Sequence, residues 1–500
     1  MKKRIFCILV AAFLAFCGVT TFALEQKTPA SLITTYADSP KTSRSFTWYT
    51  DTDISETVIQ FVQEEYYTEN YFDSENIDEI YGTSHILQTS ENGEARNIHK
   101  VNLAGLKPGT KYYYRIGGNG YWSDVFSFIT EGESEESFTF FNMTDTQASS
   151  KTNFSAYKNY VNVLNDAITR FPDGAFVLHT GDVIINNSIE HYDKIYELTQ
   201  GFFSSIPLML APGNHELGKD SLGYVSGINN INSHYQFPTN GPDGNFGTVY
   251  SFDYGNAHFV ILDSQNTVSM SEQIKWLKND IASTDKTWKI VSLHVGPYNN
   301  YGKGSTSIIN AMDELGIDLV LFGHNHAFLR SNPIRKGITD ASNVRNSFYS
   351  YEGTVYYSSG CAGSNSGRGG SSDSSATSPD KMAGTWFSVM DYDAPSSPLY
   401  GAITVTKSTL IVQTFALSNM QIVDEFTINK FAFGDVNSDG KVNTIDANLV
   451  RKFAVKLENL DEAQQKIADV NGDGKVNVID ASLIRKFVAK LIDSFPIENT

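Results

Sequence analysis

Five stretches of this chain end an apolar run at a small or polar residue and then present side chains that bind metal ions. Residues 138–147 end with Asp145 and Gln147, 176–182 with Asp182, 208–216 with Asn214, His215 and Glu216, 290–294 with His294, and 319–326 with His324 and His326. Carboxylate, neutral imidazole and amide oxygen together suit divalent or trivalent ions of borderline softness. One carboxylate can bridge two such ions. Two ions about 3.5–4 Å apart can hold a hydroxide and clamp both the attacking and the leaving oxygen of an in-line phosphoryl displacement. A Gly-Asp pair or one strand-end histidine taken alone is ordinary structure, whereas five in succession, each after an apolar strand, read as one site.

Strands that stop in this way belong to an α/β protein, which places ligands just outside the carboxyl ends of its strands. The rest of residues 137–430 supplies such elements. Tyr157, Val161, Leu164, Ala167 and Ile168 fall at helical spacing across 157–171, and residues 192–203, 271–281 and 307–315 repeat the pattern. Residues 249–254 and 257–263 read as a hairpin across Gly255-Asn256. The sheets are therefore expected to be mixed and flanked by helices; two such sheets are what the family resemblance given below implies. Residues 363–378, dominated by Gly and Ser, read as a mobile surface loop, and 386–392, 400–405, 410–416 and 421–428 as closing strands.

Upstream, residues 30–130 are short, aromatic, β-branched segments broken by polar turns, which suits a β-sandwich. The acidic joint 131–136 separates it from the α/β part. Residues 1–23 read as a secretory signal: Lys2, Lys3 and Arg4 lead an apolar stretch that ends at Thr21-Phe22-Ala23. The stretch is shorter than the ~20 residues of a spanning helix, so a secreted, extracellular protein without a membrane anchor is expected. Cys7 and Cys17 lie in that segment and leave Cys361 alone, which excludes a disulfide framework. The net charge is −18, and removing the signal cations makes the chain more acidic still. This argues against nucleic acid as a partner, and an anionic substrate must rely on local positive charge.

The C-terminal part, 434–495, holds a repeat. Asp435, Asn437, Asp439, Lys441, Asn443 and Asp446 return as Asp469, Asn471, Asp473, Lys475, Asn477 and Asp480, each loop running into a helix. This is EF-hand logic: side-chain oxygens at positions 1, 3, 5 and 12, a glycine after the fifth, and a backbone carbonyl at position 7. No clear helix precedes either loop. With Asp closing each loop, the segment resembles type I dockerins, the small helical modules that plug enzymes into cohesin-bearing scaffolds of polysaccharide-degrading complexes. The resemblance implies two Ca2+ ions and a cohesin partner met through Thr444-Ile445 or Val478-Ile479 and the pairs Arg451-Lys452 or Arg485-Lys486.

Residues 137–430 resemble the calcineurin-like metallophosphoesterases, and with the preceding sandwich they resemble the purple acid phosphatase branch. Leu106-x-Pro-x-Thr-x-Tyr112 in the sandwich is similar to the tyrosine corner of fibronectin type III domains. The resemblance implies one metal on Asp145, Asp182 and His326 and another on Asp182, Asn214, His294 and His324, the ions being Fe, Zn or Mn. It makes His215 a proton donor or electrostatic stabiliser at the leaving group, oriented by Glu216. Two positions depart from the family. Purple acid phosphatases carry a Tyr three residues after the bridging Asp, where Ile185 stands, so no purple colour is expected. Gln147 stands where many relatives have His, and it either ligates through its amide oxygen or only hydrogen-bonds.

The function expected from these features is a secreted phosphomonoesterase with two metal ions, carried by a dockerin in a cellulosome. A phosphodiesterase with the same site, or a catalytically silent binding module, are the alternatives. Glycoside hydrolysis would need a catalytic carboxylate pair, and the aligned stretches offer metal ligands instead.

Overall fold

The computed structural model describes residues 27–499 except 74–76, 89–94, 149–152, 186–188, 218–226, 244–246, 266, 299–305, 343, 364–386, 388, 392–396, 419–420, 431–432 and 438–440. The expected signal, nearly all of the Gly/Ser loop and Asp439 lie outside the described residues. No described helix is long and apolar enough to cross a membrane.

Residues 30–129 form two facing antiparallel sheets. One has the order Ala30–Thr35, Ser43–Thr50, Ala95–Ala104, Thr83–Gln88; the other runs Asp78–Tyr81, Val58–Gln63, Lys111–Gly118, Tyr121–Trp122, with Phe126–Ile129 also on Lys111–Gly118. Strand Ser43–Thr50 is buried along its whole length, and its two faces explain why. Phe46 and Trp48 point into the sandwich core with Val101, Tyr114 and Phe128. Tyr49 joins the core of the next domain instead. The Tyr112 hydroxyl accepts from the Lys107 N–H at 2.9 Å, as the corner motif predicts. The sandwich is fastened to helix Ile189–Phe203 and the turn after it. Leu32 N–H donates to Gln200 Oε1 (3.2 Å), Thr34 Oγ1 to the Phe203 carbonyl (2.9 Å), and buried Arg44 to the Ser205 carbonyl (3.1 Å).

The central part contains two seven-stranded mixed sheets. The first has the order Leu208–Leu210, Val177–His179, Ser137–Met143, Leu399–Thr406, Thr409–Ala416, Ile422–Asn429, Ser347–Tyr349. The second runs Tyr250–Tyr254, Ala257–Ile261, Trp288–Val295, Leu319–Gly323, Val355–Ser359, Phe328–Arg330, Val389–Asp391. Strand periodicity decides what lies between and outside them. Phe259, Ile261, Ile290, Leu319 and Leu321 face the first sheet and share its core with Phe140, Val177 and Leu208. The alternate residues Val260, Val291, Val320 and Phe322 face outward to Leu277, Ile281, Ile308 and Met312 of helices Met270–Ser283 and Thr306–Leu315. Strands covered on both faces read as continuous apolar runs, as these do. Helices Ser155–Arg170 and Ile189–Phe203 cover the first sheet.

The C-terminal part has its own small core of Val436, Ala447, Val450, Leu460, Val470, Ala481 and Ile484. Helices Thr444–Ala454 and Val478–Val488 follow the two loops as expected. The expectation that neither loop has a helix before it is corrected: Glu462–Ala468 runs directly into Asp469. It is short, and its N-terminus is fixed by Asp461 and Gln464 in a reciprocal capping box rather than by an apolar stripe.

Candidate metal centre

The parallel register brings three of the ligand-bearing strand ends level. Met143 pairs with His179, and His179 with Leu210. The ladder continues into the loops, where Thr180 N–H donates to the Met143 carbonyl (2.8 Å), Asp145 N–H to Gly181 (3.0 Å) and Gln147 N–H to Asp182 (3.0 Å). The other sheet delivers His294 within strand Trp288–Val295 and His324 just after Leu319–Gly323. The carboxyl ends of the two sheets thus meet.

Atoms of Asp145, Asp182 and His326 lie within 4.8 Å of one another, as do those of Asp182, His294 and His324. Asp182 is common to both sets. Asn214 Oδ1 is 3.1 Å from His294 Nε2 and 3.1 Å from His324 Nδ1, which places it in the second set. Gln147 borders the first set with its amide nitrogen 3.0 Å from His326 Nε2. Asp145, Asp182, His324 and His326 all have φ between 53° and 70°. A left-handed backbone at a non-glycine residue costs about 1–3 kcal/mol and persists where surroundings impose it, typically at functional sites. Two glycines allow the close approach. A Cβ on Gly213 would overlap the Asp182 carboxylate, and one on Gly181, at φ +100°, would stand 2.6 Å from His294 Nδ1.

Hydrogen bonds fix which nitrogen each ring presents. His294 Nδ1 donates to the Thr180 carbonyl (2.8 Å), so Nε2 faces Asp182 Oδ2 at 3.1 Å. Asp145 Oδ2 accepts from Thr144 Oγ1 (2.8 Å) and His324 N–H (3.0 Å), leaving Oδ1 toward His326 Nε2 at 3.4 Å. Burial opposes the charge of both carboxylates, but His326 holds Asp145, and His294 holds Asp182, below the ordinary range. Burial likewise opposes the His294 cation, yet Asp182 pushes it up to about 9. His179 lies beneath, fully buried; Gly181 N–H donates to its Nδ1 at 3.2 Å, and burial lowers it to about 3.

His215 Nδ1 donates to the Ile185 carbonyl, and its Nε2 is 3.8 Å from Asp182 Oδ2. Glu216 does not orient this ring as expected. Its Oε2 accepts from Asp182 N–H (2.8 Å) and Gly213 N–H (2.8 Å), and its Oε1 from Val183 (2.7 Å) and Ile184 (3.2 Å). Both oxygens are committed to the backbone that carries Asp182. Sequence reasoning missed the Thr180 and Ile185 carbonyls, which any residue could supply, and Cys361, which hydrogen-bonds His326.

In the C-terminal loops, Asp446 and Asp480 are buried. Asp446 accepts from Asn437 (3.1 Å) and Asn443 (2.8 Å), and Asp480 from Asn471 (3.4 Å) and Asn477 (2.9 Å). Asp469 accepts from Gly472, Asp473 and Gly474. Asn471 Nδ2 donates to Asp473 Oδ2 at 3.1 Å. The side-chain oxygens of Asn443 and Asn477 cap the following helices, accepting from Ile445 (2.7 Å) and Ile479 (2.8 Å). In this structure they serve the helices. The carbonyls of Lys441 and Lys475 accept from those same Asn side chains at 3.2 and 3.4 Å. Asp435, at the first position of the first loop, is buried.

Comparison with known proteins agrees with this layout. Residues 29–130 match the purple acid phosphatase N-terminal domain, 138–328 the calcineurin-like phosphoesterase family, and 433–489 the type I dockerin domain. Purple acid phosphatase 15 of Arabidopsis thaliana is 30% identical over 274 residues, 47% of this chain and 50% of that protein. Probable inactive purple acid phosphatase 24 of the same plant is 25% identical over 375 residues, 67% of this chain and 57% of that protein. This chain thus spans about half the length of the curated relatives it matches. Among solved structures, the purple acid phosphatase PPD1 from yellow lupin (Lupinus luteus) seeds shares the fold, with a TM-score of 0.64 at 19% identity over 81% of this chain and 75% of that one. PhoD shares it at 0.53 and 13% identity, over 80% of this chain and 92% of that one. Residues 138–328 thus form a domain of the calcineurin-like phosphoesterase type. The chain as a whole joins it to a purple acid phosphatase N-terminal domain in front and a type I dockerin behind.

Proposed function

We propose that this chain is a secreted hydrolase of phosphomonoesters that works with two metal ions and is attached through its dockerin to a cohesin-bearing scaffold of a polysaccharide-degrading complex. The observation that carries the reading is the convergence of Asp145, Asp182, Asn214, His294, His324 and His326 from two sheets on one point. In this reading Asp145, Asp182 and His326 hold one ion and Asp182, Asn214, His294 and His324 the other. The donors fit such ions, because buried Asp145 Oδ1 has no hydrogen-bond partner beyond the approach of His326. When bound, the ions supply Lewis acidity and positive charge for phosphoryl oxygens, the local charge an acidic protein needs for an anionic substrate.

The chain's own residues do the rest. The His294 and Asp182 side chains are at most 2% exposed, whereas His215 is 33% and His326 38% exposed, so substrate reaches the site from the side of these two rings. With Nδ1 committed to Ile185, His215 has Nε2 available to donate to a leaving-group oxygen. Glu216 holds Asp182 in place. Domain limits of 30–130, 137–430 and 434–495, after a signal at 1–23, complete the proposal.

A catalytically silent module is the rival, since relatives called probable inactive purple acid phosphatases match two thirds of this chain at 25% and 26% identity. The full donor set favours activity. Metal analysis of the purified protein beside hydrolysis of mono- and bis-nitrophenyl phosphate separates the readings. Two tightly held ions with faster monoester hydrolysis are expected. Faster diester hydrolysis would reverse the specificity, and two ions with no hydrolysis of either ester would favour the silent module.

A further inference from the structure

We propose that Gln147 donates a hydrogen bond from its side-chain amide to an oxygen of the substrate's phosphoryl group, and so binds substrate rather than metal. The inference rests on the two-metal reading and names a residue that holds the anionic end of the substrate beside the ions.

Among the described residues, the groups bonded to Asp145, Asp182, Asn214, His294, His324 and His326 include no lysine or arginine. In a chain of net charge −18, an anionic phosphoryl group then depends on the ions and on neutral N–H donors. Gln147 is built to be such a donor. Thr146 Oγ1 donates to the Val183 carbonyl at 3.0 Å, and Gln147 N–H donates to the Asp182 carbonyl at 3.0 Å, so its backbone is tied to the loop of the shared carboxylate. Ala148, next in the chain, is buried. At the end of the side chain, Nε2 lies 3.0 Å from His326 Nε2, while Oε1 is buried without a hydrogen-bond partner. The nitrogen end of the amide therefore faces the cluster, on the side where the His326 ring is 38% exposed.

A ring nitrogen has one lone pair. Once His326 Nε2 gives that lone pair to an ion, it no longer accepts from the Gln147 amide, and the N–H is left to seek another acceptor. Phosphoryl oxygens are strong acceptors, and a donor already held in place loses little freedom in meeting them. A neutral amide does this without repelling the ions, as a lysine there would.

Inorganic phosphate is the probe, and the readouts are phosphate affinity and metal content rather than activity. The full chain is loaded with zinc, freed of excess metal and titrated with phosphate by calorimetry beside Gln147→Met, which keeps the side chain's length and removes the N–H. The variant should retain both ions and bind phosphate about 10- to 100-fold more weakly, the worth of one hydrogen bond to a charged group. Loss of one ion would make the Gln147 amide oxygen a metal ligand, and unchanged phosphate affinity with both ions in place would leave it no part in binding; either result overturns the proposal. Should the variant fail to fold, crystals of the unsubstituted zinc form grown with phosphate decide. Gln147 Nε2 should lie within about 3.2 Å of a phosphate oxygen. An amide about 2.0–2.2 Å from an ion, or one turned away from the phosphate, would overturn the proposal. Failure of the unsubstituted chain to hold two ions would overturn the underlying two-metal reading instead.

Discussion

Replacing Glu216 by glutamine preserves the side chain's shape and turns one of its two oxygens into an amino group. Each oxygen accepts from two backbone N–H groups, Oε1 from Val183 and Ile184 and Oε2 from Asp182 and Gly213. Whichever oxygen is lost, two donors then face a donor in a site with no water access, because Glu216 is completely buried. Hydrogen bonds to a charged acceptor are worth about 1.5–3 kcal/mol each, so Glu216→Gln should cost about 3–6 kcal/mol. Part of that cost will appear as displacement of the turn that carries Asp182. Since Asp182 faces both ligand sets, both ions should be lost together. His215 should keep its orientation, since its Nδ1 is held by Ile185 rather than by Glu216. The assay pairs denaturant unfolding of the metal-free chain with metal analysis. Unchanged unfolding, a full complement of ions, and a rate loss confined to substrates with poor leaving groups would refute this reasoning and restore Glu216 to a role acting through His215.

His215→Ala should retain both ions and lose about 10²- to 10⁴-fold in rate, with a smaller loss for nitrophenyl than for alkyl phosphates; equal losses would remove it from leaving-group protonation. The protein should not be purple, because Ile185 offers no phenolate, and an iron–tyrosinate absorption band would show that another tyrosine reaches the metal. His258 bridges Asp253 (2.7 Å) and Asp280 (2.8 Å); burial opposes its charge, but the two carboxylates raise it to about 9. Its folded value lies above the unfolded ~6.5, so its contribution, at most about 3 kcal/mol, is complete below pH ~6.5 and fades as pH rises through about 9. Urea unfolding at the two ends of that window should show the fall in the parent chain and a flatter profile in His258→Asn; equal slopes would contradict it. Selective loss of calcium, with the ions of the metal centre kept supplied, should abolish cohesin binding and leave hydrolysis working, and Thr444 and Ile445 changed together should be tolerated until Val478 and Ile479 are changed too. Calorimetry with undiminished binding after calcium removal, or complete loss from one pair, would contradict these expectations.

Local chemistry was legible in the chain because it is carried by side-chain identity at fixed offsets. Apolar runs ending in Asp145, Asp182, Asn214, His294 and His324 announce strand ends that present candidate metal donors, and period-2 apolar residues around Phe259 and Val260 announce strands covered on both faces. Tyr112 announces its corner, and the Asp469 loop its turn. Which donors share an ion depends on the meeting of two sheets whose strands pair with others far away in sequence, so the proximity of His326 to Asp145 and of His294 to Asp182 belongs to the tertiary structure alone. So does the left-handed backbone at four of the donors, which their surroundings impose and no propensity encodes. The work of Glu216 was hidden for a related reason: its partners are backbone N–H groups, identical at every residue but proline, and only the folded turn decides which of them a buried carboxylate will meet.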